Sequence, residues 1–248
     1  MKAKIFICTH TDFECPVKNP VYEVLDARKL YPNDKAPNGV DALYYSELLS
    51  YQWLVEHPDE LPDIVGFCHY RKYWEFMDDV PDLEALILEH GCISLHLHEV
   101  KGSVYGQYER CFYFGDMDIA KAIVMFRHPD LYPTFKKMLE GNQFYACNMF
   151  IMKKEDFLEM MKVVWDVLER YLDVVGMDLQ DRILQHSDVY IDNKRSVKAR
   201  QVAHQYRMGG NIGERVASAW VMWKFANPKT YRKIVMENAR EHKIIHNS

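Results

Sequence analysis

Apolar and polar positions along this chain sort into short apolar runs separated by periodic stretches. Four runs stand out: residues 4–8 (KIFIC), 63–70 (DIVGFCHY), 92–98 (CISLHLH) and 148–154 (NMFIMKK). Runs of this length without a polar face predict strands buried on both sides. A further short strand is expected at Val21–Leu25, inside a Pro-, Asn-, Asp- and Lys-rich stretch over residues 11–41. A connection that long in a compact domain marks function or mobility.

Between the runs the period changes to that of a helix. Phe157, Met160, Met161, Val164, Val167, Leu168 and Tyr171 recur every three or four positions, which places them on one helical face. Val216, Ala219, Trp220 and Trp223 do the same on a helix expected to begin near Gly213. Residues 42–57 read as one helix stopped by Pro58. Others are expected near 81–90, 116–127 and 130–140, with Asp116 capping the first turn after Gly115. Strands alternating with helices predict an α/β sheet, in which ligands bind beyond the carboxyl ends of the strands. Thr9–His10 and His69–Tyr73 collect at two such ends. With no repeat or linker, the chain reads as one domain.

Composition changes this picture at three points. Net charge is -5 and the isoelectric point is near 6.1, which argues against a general nucleic-acid binder. Yet Lys194, Arg195, Lys198, Arg200, Arg207 and Arg215 face only Asp192 and Glu214 over that segment. A local basic stretch suits a small anion or a membrane surface, or it is a solvated face. The six cysteines, at 8, 15, 68, 92, 111 and 147, lack metal-finger spacing and read as buried thiols in a reducing compartment. No apolar run approaches the ~18 residues of a membrane span, and the N-terminal one is too short for a signal peptide. A cytoplasmic protein follows, with room for contact at the inner face of the membrane. Aromatic residues reach 13%, including 16 tyrosines, which fits either a Tyr-rich core or surfaces on which sugars or bases stack.

The block His69-Tyr70-Arg71-Lys72-Tyr73 carries the most chemistry. Arg71 and Lys72 at a strand end can meet phosphate oxygens, Tyr70 and Tyr73 can stack, and the alternative is a structural ion-pair cluster. Glu214-Arg215 is either a helix-terminus pair or a general base with its orienting arginine. Asp116-Met117-Asp118 and Asp78-Asp79 are weak metal candidates. His96 and His98, two apart on an expected strand, lack an evident third ligand. No Walker loop, dinucleotide fingerprint or hydrolase serine motif is present.

At these residues the chain resembles a bacterial family, the domain of unknown function 4422, a glycosyltransferase-like family of capsule and O-antigen loci. IFICTH (5–10), YSELLSYQW (45–53), GFCHYRKY (66–73), YGQY (105–108), the Asp116–Val124 helix, NMFIMKKEDF (148–157) and GERVASAW (213–220) carry the likeness, which spans residues 5 to about 223. The Gly-x-x-His-Tyr-Arg-Arg-Tyr signature has Lys72 in place of its second Arg. The segment 173–211 is longer and more basic than the family leads one to expect.

The resemblance implies a GT-A-like, Rossmann-like mixed sheet flanked by helices, with the transferase domain over residues 1–226 and a basic tail over 227–248. It implies transfer of a hexose, galactofuranose or galactose, from a UDP-sugar to a saccharide or lipid-linked saccharide acceptor. Thr9, His10, Tyr70, Arg71, Lys72, Tyr73, Asn148 and Arg215 are then expected at the donor, and Glu214, Glu47 and His69 at the chemistry. Cationic side chains are expected where GT-A enzymes place an Asp-x-Asp. No metal ligand is assigned, although Mn or Mg on the diphosphate is not excluded. Two other readings stay open: a nucleotide-sugar or polysaccharide-assembly binding protein of the same fold, and a phosphoesterase using His69 and His10. Lys229, Arg232, Lys233, Arg240 and Lys243, with Ile234, Val235, Ile244 and Ile245, are expected either to touch anionic lipid weakly, to pack as a terminal helix or to form a frayed terminus.

Overall fold

The computed structural model describes residues 1–33, 35, 36, 38–113, 115–176, 179, 206–238 and 241–245. Most of the basic segment between Asp192 and Arg207 lies outside the described residues, as do Arg240 and the side chains of Lys243, Ile244 and Ile245. The chain opens with β1 (Ala3–Thr9), β2 (Tyr22–Asp26), α1 (Ala27–Leu30), α2 (Ala42–Tyr45) and α3 (Leu48–Glu56). Next come β3 (Ile64–His69), β4 (Lys72–Trp74), α4 (Leu83–His90), β5 (Cys92–Leu95) and β6 (His98–Glu99). Then follow α5 (Val104–Glu109), α6 (Asp116–Arg127), α7 (Tyr132–Glu140), β7 (Gln143–Phe144), β8 (Phe150–Lys153) and α8 (Lys154–Val175). The last described elements are α9 (Met208–Lys224), β9 (Lys229–Tyr231), β10 (Lys233–Asn238) and β11 (Glu241–Ile245).

Nine of these strands form one mixed sheet. Its spine runs β2-β1-β3-β8-β5-β9. β1 is parallel to β2 and β3, β5 is parallel to β9, and β8 is antiparallel to both of its neighbours. From β3 a tight turn at Tyr70–Arg71 leads into β4, which continues into an antiparallel arm with β10 and β11. Side chains of the apolar runs alternate between two cores, as the pleat requires. Phe6, Val65, Phe67, Phe150 and Met152 enter the larger core, beneath α3 and α6–α9. Ile5, Ile64, Cys68, Ile93 and Ile151 enter the smaller one, which α4 helps to cover. Both faces being buried is why these strands read as unbroken apolar runs rather than as an alternation.

Several expected boundaries move, each for a physical reason. The helix expected over 42–57 breaks at Ser46, whose φ of 52° places it in the left-handed region. The break lets α9 approach closely: a Cβ on Gly209 would sit 2.3 Å from the Tyr44 ring, and one on Gly210 would sit 2.8 Å from the Ser46 hydroxyl. For the same reason α9 begins at Met208 rather than near Gly213, and its glycines are interior contact points rather than a break. Asp116 does not cap α6. Gly115 holds the cap position, and the Asp116 carboxylate is fully buried, accepting the hydroxyls of Tyr108 at 3.1 Å and Tyr171 at 2.6 Å. The run 92–98 is strand only through Leu95. His96 and His98 are exposed, and His98 pairs with Phe144 in a separate two-stranded ribbon. The segment after Asn227 is not a helix: β9 borders β5 and β10 borders β4 in the main sheet.

Candidate functional site

A cavity of about 590 Å³ opens beyond the carboxyl ends of β1 and β3, closed by the α2–α3 break and the first turns of α9. Each wall follows from a local feature of the sequence. β1 ends because the Thr9 hydroxyl turns back on its own chain, donating to the Thr11 carbonyl at 2.7 Å and accepting the Thr11 N–H. That turn sets His10 on the rim, edge-on to the Tyr70 ring. Burial first, then the charges of Arg207 and Arg71, hold His10 below the ordinary imidazole range.

At the end of β3, His69 faces a carbonyl. Its Nε2 lies 2.7 Å from the Cys147 oxygen, which can only accept, so Nε2 carries the proton. Burial holds His69 below its ordinary pKa, although Glu47 opposes this from 3.9 Å. Arg71 projects beyond the turn with its guanidinium 4.9 Å from the centre of the Tyr70 ring. Lys72 returns toward the cavity, its ammonium 3.3 Å from the Cys147 sulfur, which Lys233 also approaches at 3.7 Å. Burial opposes the Lys72 charge, but the Cys147 sulfur and Glu47 outweigh it and raise the pKa.

Two carboxylates stand opposite these cations. Glu214 is fully engaged: Oε1 accepts the Cys147 N–H at 2.5 Å and Oε2 accepts Arg215 Nη1 at 2.7 Å. Arg215 is 1% exposed, donates also to Gln107 and to the Asn211 carbonyl, and lies against the Phe144 ring. Glu47 is less engaged. Its Oε1 accepts Asn148 Nδ2 at 2.8 Å, and Oε2 makes no hydrogen bond among the described residues. The connection that holds both carboxylates, Cys147-Asn148, is left-handed at both residues, with φ 74° and 49°. Non-glycine residues are rarely held so, and such strain gathers at functional sites.

Charge balance defines the character of the cavity. Arg28 is neutralised by Asp26 and Asp12, each at 2.7 Å. Arg71 and Arg207 line the cavity with no carboxylate partner among the described residues. Among the described residues, two guanidinium groups without a carboxylate partner and Lys72 therefore face Glu47, the lining carboxylate there not held by an arginine, a capped helix or a backbone N–H. The wall suits a ligand with two or more negative charges at one end and neutral hydroxyls at the other.

Of the residues singled out in the sequence, Thr9, His10, Glu47, His69, Tyr70, Arg71, Lys72 and Glu214 all line this one cavity. Asn148 and Arg215 stand one layer behind, holding Glu47 and Glu214. Tyr73 is not positioned to stack on a ligand: it is fully buried, and its hydroxyl donates to the Tyr70 carbonyl. Asp116, Asp118, Asp78, Asp79, His96 and His98 lie off the cavity wall. Asp116 is sealed between tyrosines and Asp118 pairs with Lys121, so this Asp-x-Asp does not fit a metal on a diphosphate. His69 and His10 both line the cavity, with no cluster of three metal-ligating side chains around them among the described residues. Sequence reading missed Arg28, Cys147 and Asn211 on the wall, and saw Arg207 only as part of a basic stretch. A Cys-Asn pair immediately before a strand was the available signal, since Asn tolerates the left-handed region well.

Comparison with known proteins bears on the fold. The family described as "Domain of unknown function (DUF4422)" matches residues 4–191. No curated protein matches the chain. The solved apo structure of WbbM, a bifunctional glycosyltransferase, superposes with a TM-score of 0.74 at 18% identity. The superposition covers 96% of this chain and 46% of that one, so this chain spans under half the length of that enzyme. The fold shared with that structure is a mixed α/β sheet flanked by helices.

Proposed function

The chain belongs to the DUF4422 family, and we propose that it is a glycosyltransferase that moves a hexose from a UDP-sugar to a hydroxyl of a saccharide acceptor, free or lipid-linked. One observation carries this reading. Arg71 and Arg207, which have no carboxylate partner among the described residues, meet Glu47 with Lys72 across a single cavity at the carboxyl ends of parallel strands. The cations match a diphosphate, and the free oxygen of Glu47 matches an acceptor hydroxyl. The likeness to a named glycosyltransferase supports the same reading from the fold.

In this mechanism Glu47 Oε2 takes the proton of the acceptor hydroxyl as that oxygen bonds to the anomeric carbon. The bond from that carbon to the diphosphate oxygen breaks, and the electron pair leaves with the diphosphate. Arg71, Arg207 and Lys72 stabilise the charge that develops there. One carboxylate opposite the leaving group suffices for a single, inverting displacement. The proposed step includes no metal, and the Asp116-x-Asp118 pair lies off the cavity wall.

The test is binding followed by turnover. UDP is expected to raise the melting temperature more than GDP, CDP or dTDP do, with little change on adding Mn or a chelator. Arg71→Ala is expected to weaken UDP by about 1.5–3 kcal/mol, the scale of a lost charge-assisted hydrogen bond. Its melting temperature without ligand should stay unchanged, because the side chain is exposed. Release of UDP that needs both a UDP-hexose and an acceptor supports the enzyme. Tight UDP binding with no release across an acceptor panel would favour the non-catalytic binding protein instead.

A further inference from the structure

We infer that Asn148 is a positioning residue: its amide fixes the Glu47 carboxylate so that Oε2 alone faces the acceptor. This rests on the glycosyltransferase reading above and assigns a role to a residue that does not line the cavity.

The geometry around Asn148 is costly in two ways, and both costs serve one contact. First, φ is 49°, a region where glycine is freest, yet the residue is Asn. Asn is among the few side chains that tolerate this region, but glycine would occupy it at less cost. Second, the residue is 1% exposed, and with Nδ2 on Glu47 at 2.8 Å its Oδ1 is left with no hydrogen-bond partner among the described residues. Turning the amide over would not relieve this, because Oδ1 would then meet the carboxylate oxygen. A buried acceptor is thus left unsatisfied so that Glu47 receives a donor.

The backbone around this amide is held from both sides. Tyr51 donates its hydroxyl to the Asn148 carbonyl at 2.8 Å, and Tyr51 is itself buried against Phe67. His69 donates to the Cys147 carbonyl at 2.7 Å, and the Cys147 N–H donates to Glu214 at 2.5 Å. Residues from β3, α3 and α9 therefore fix a two-residue turn, and the turn fixes Glu47. With Oε1 held, rotating the carboxylate would break the Asn148 bond, and Oε2 is the oxygen left to accept a proton. The Asn148 amide also keeps the buried side of the carboxylate hydrogen-bonded, so reorganisation in the reaction is small.

Asn148→Gly and Asn148→Asp separate positioning from plain structure. Glycine accepts the φ without strain and deletes only the amide. Aspartate is nearly isosteric and also tolerates this backbone, but it places an acceptor against an acceptor. For Asn148→Gly we expect kcat to fall about 100-fold, the scale of a misplaced reacting group, with UDP-sugar affinity and melting temperature near those of the parent. Asn148→Asp should fall further near neutral pH. It should then regain activity as pH drops from 8 toward 6, because a proton shared by the two carboxylates restores a donor to Glu47. The parent should show no such rise. A crystal structure of Asn148→Gly without ligand should show the Glu47 carboxylate turned from its present orientation. Unchanged kcat in Asn148→Gly, or Glu47 unmoved in its structure, overturns the assignment. The crystallographic result does not depend on turnover. A parent protein that transfers no sugar would therefore sink the glycosyltransferase reading while the positioning of Glu47 is still decided.

Discussion

At the scale of single residues, the two glutamates suggested by the sequence differ in what their oxygens already do. Glu214 spends both on the protein, one on a backbone N–H and one on a buried arginine. Glu47 keeps one without a hydrogen bond among the described residues. Glu47→Gln is therefore expected to retain UDP binding and lose transfer by about 100-fold or more, the usual contribution of a general base. Glu214→Gln should act on stability first. It leaves Arg215, 1% exposed, without its counter-charge, and breaking such a pair costs about 3–5 kcal/mol. Denaturant melts of the two variants check this, and an equally stable Glu214→Gln would return that residue to the list of bases. His69 adds a pH dependence. Burial lowers its pKa in the folded state below the unfolded value near 6.5. The unfolded chain then binds more protons as pH falls below about 6.5, so stability is present above that pH and is lost below it. One such group contributes a slope of at most about 1.4 kcal/mol per pH unit. His69→Gln, which still offers a donor to Cys147, should flatten the stability profile between pH 7 and 5. An unchanged slope would assign it to other groups such as His10.

At the scale of elements, the packing of α9 on α2 and α3 sets the shape of the site. Gly213 faces Leu48, and a Cβ there would lie 2.3 Å from Leu48 Cδ1 and 3.3 Å from Val164. Overpacking of this kind costs about 1–3 kcal/mol, more than alanine gains over glycine in helix propensity. Gly213→Ala should therefore lower the melting temperature despite the better helix former, and a raised one would show that α9 can slide. This contact also explains what was legible in the sequence. Strands β1, β3 and β8 and helix α8 were readable because burial on both faces, or on one stripe, leaves its period in the residues themselves. The start of α9 and the Ser46 break were not. Glycines are the same letters whether they end a helix or admit a neighbouring ring, and only the Tyr44 and Leu48 side chains decide between the two. The cavity was half legible: the polar ends of β1 and β3 marked its floor, and the YSELL and GER segments marked its carboxylates. Arg28 gave no local sign, since its place on the wall comes from crossings distant in sequence, and Cys147 was marked only by the Asn that follows it. Asn148 was expected at the sugar, and only its bond to Glu47 revealed the layer behind.

At the scale of the whole molecule, the residues after Asn227 decide whether this fold ends in an appendage or in part of its sheet. A basic, mixed segment suggested a terminal helix, a frayed end or a lipid contact; over its described residues it forms strands rather than a helix. β9 covers the open edge of β5 over Ile93–Leu95, and Tyr231 packs edge-on against Phe76. β10 pairs with β4, the strand that carries Lys72 into the cavity, and Met236 is buried at 5% exposure. Lys233, on the same strand, reaches the Cys147 sulfur. Removing residues 227–248 would bare an apolar edge strand, a template for association with other chains. It would also uncover apolar side chains such as Met236, each worth about 1.5–3 kcal/mol when fully buried. The truncated chain is expected to melt well below the parent or to aggregate, with UDP binding lost in proportion to the folded fraction. Circular dichroism melts and gel filtration of the two forms measure this. If instead the truncation left the melting temperature and the UDP affinity untouched, the segment would be an appendage after all. Flotation with anionic vesicles at low and high salt would then be the measurement that shows what it holds.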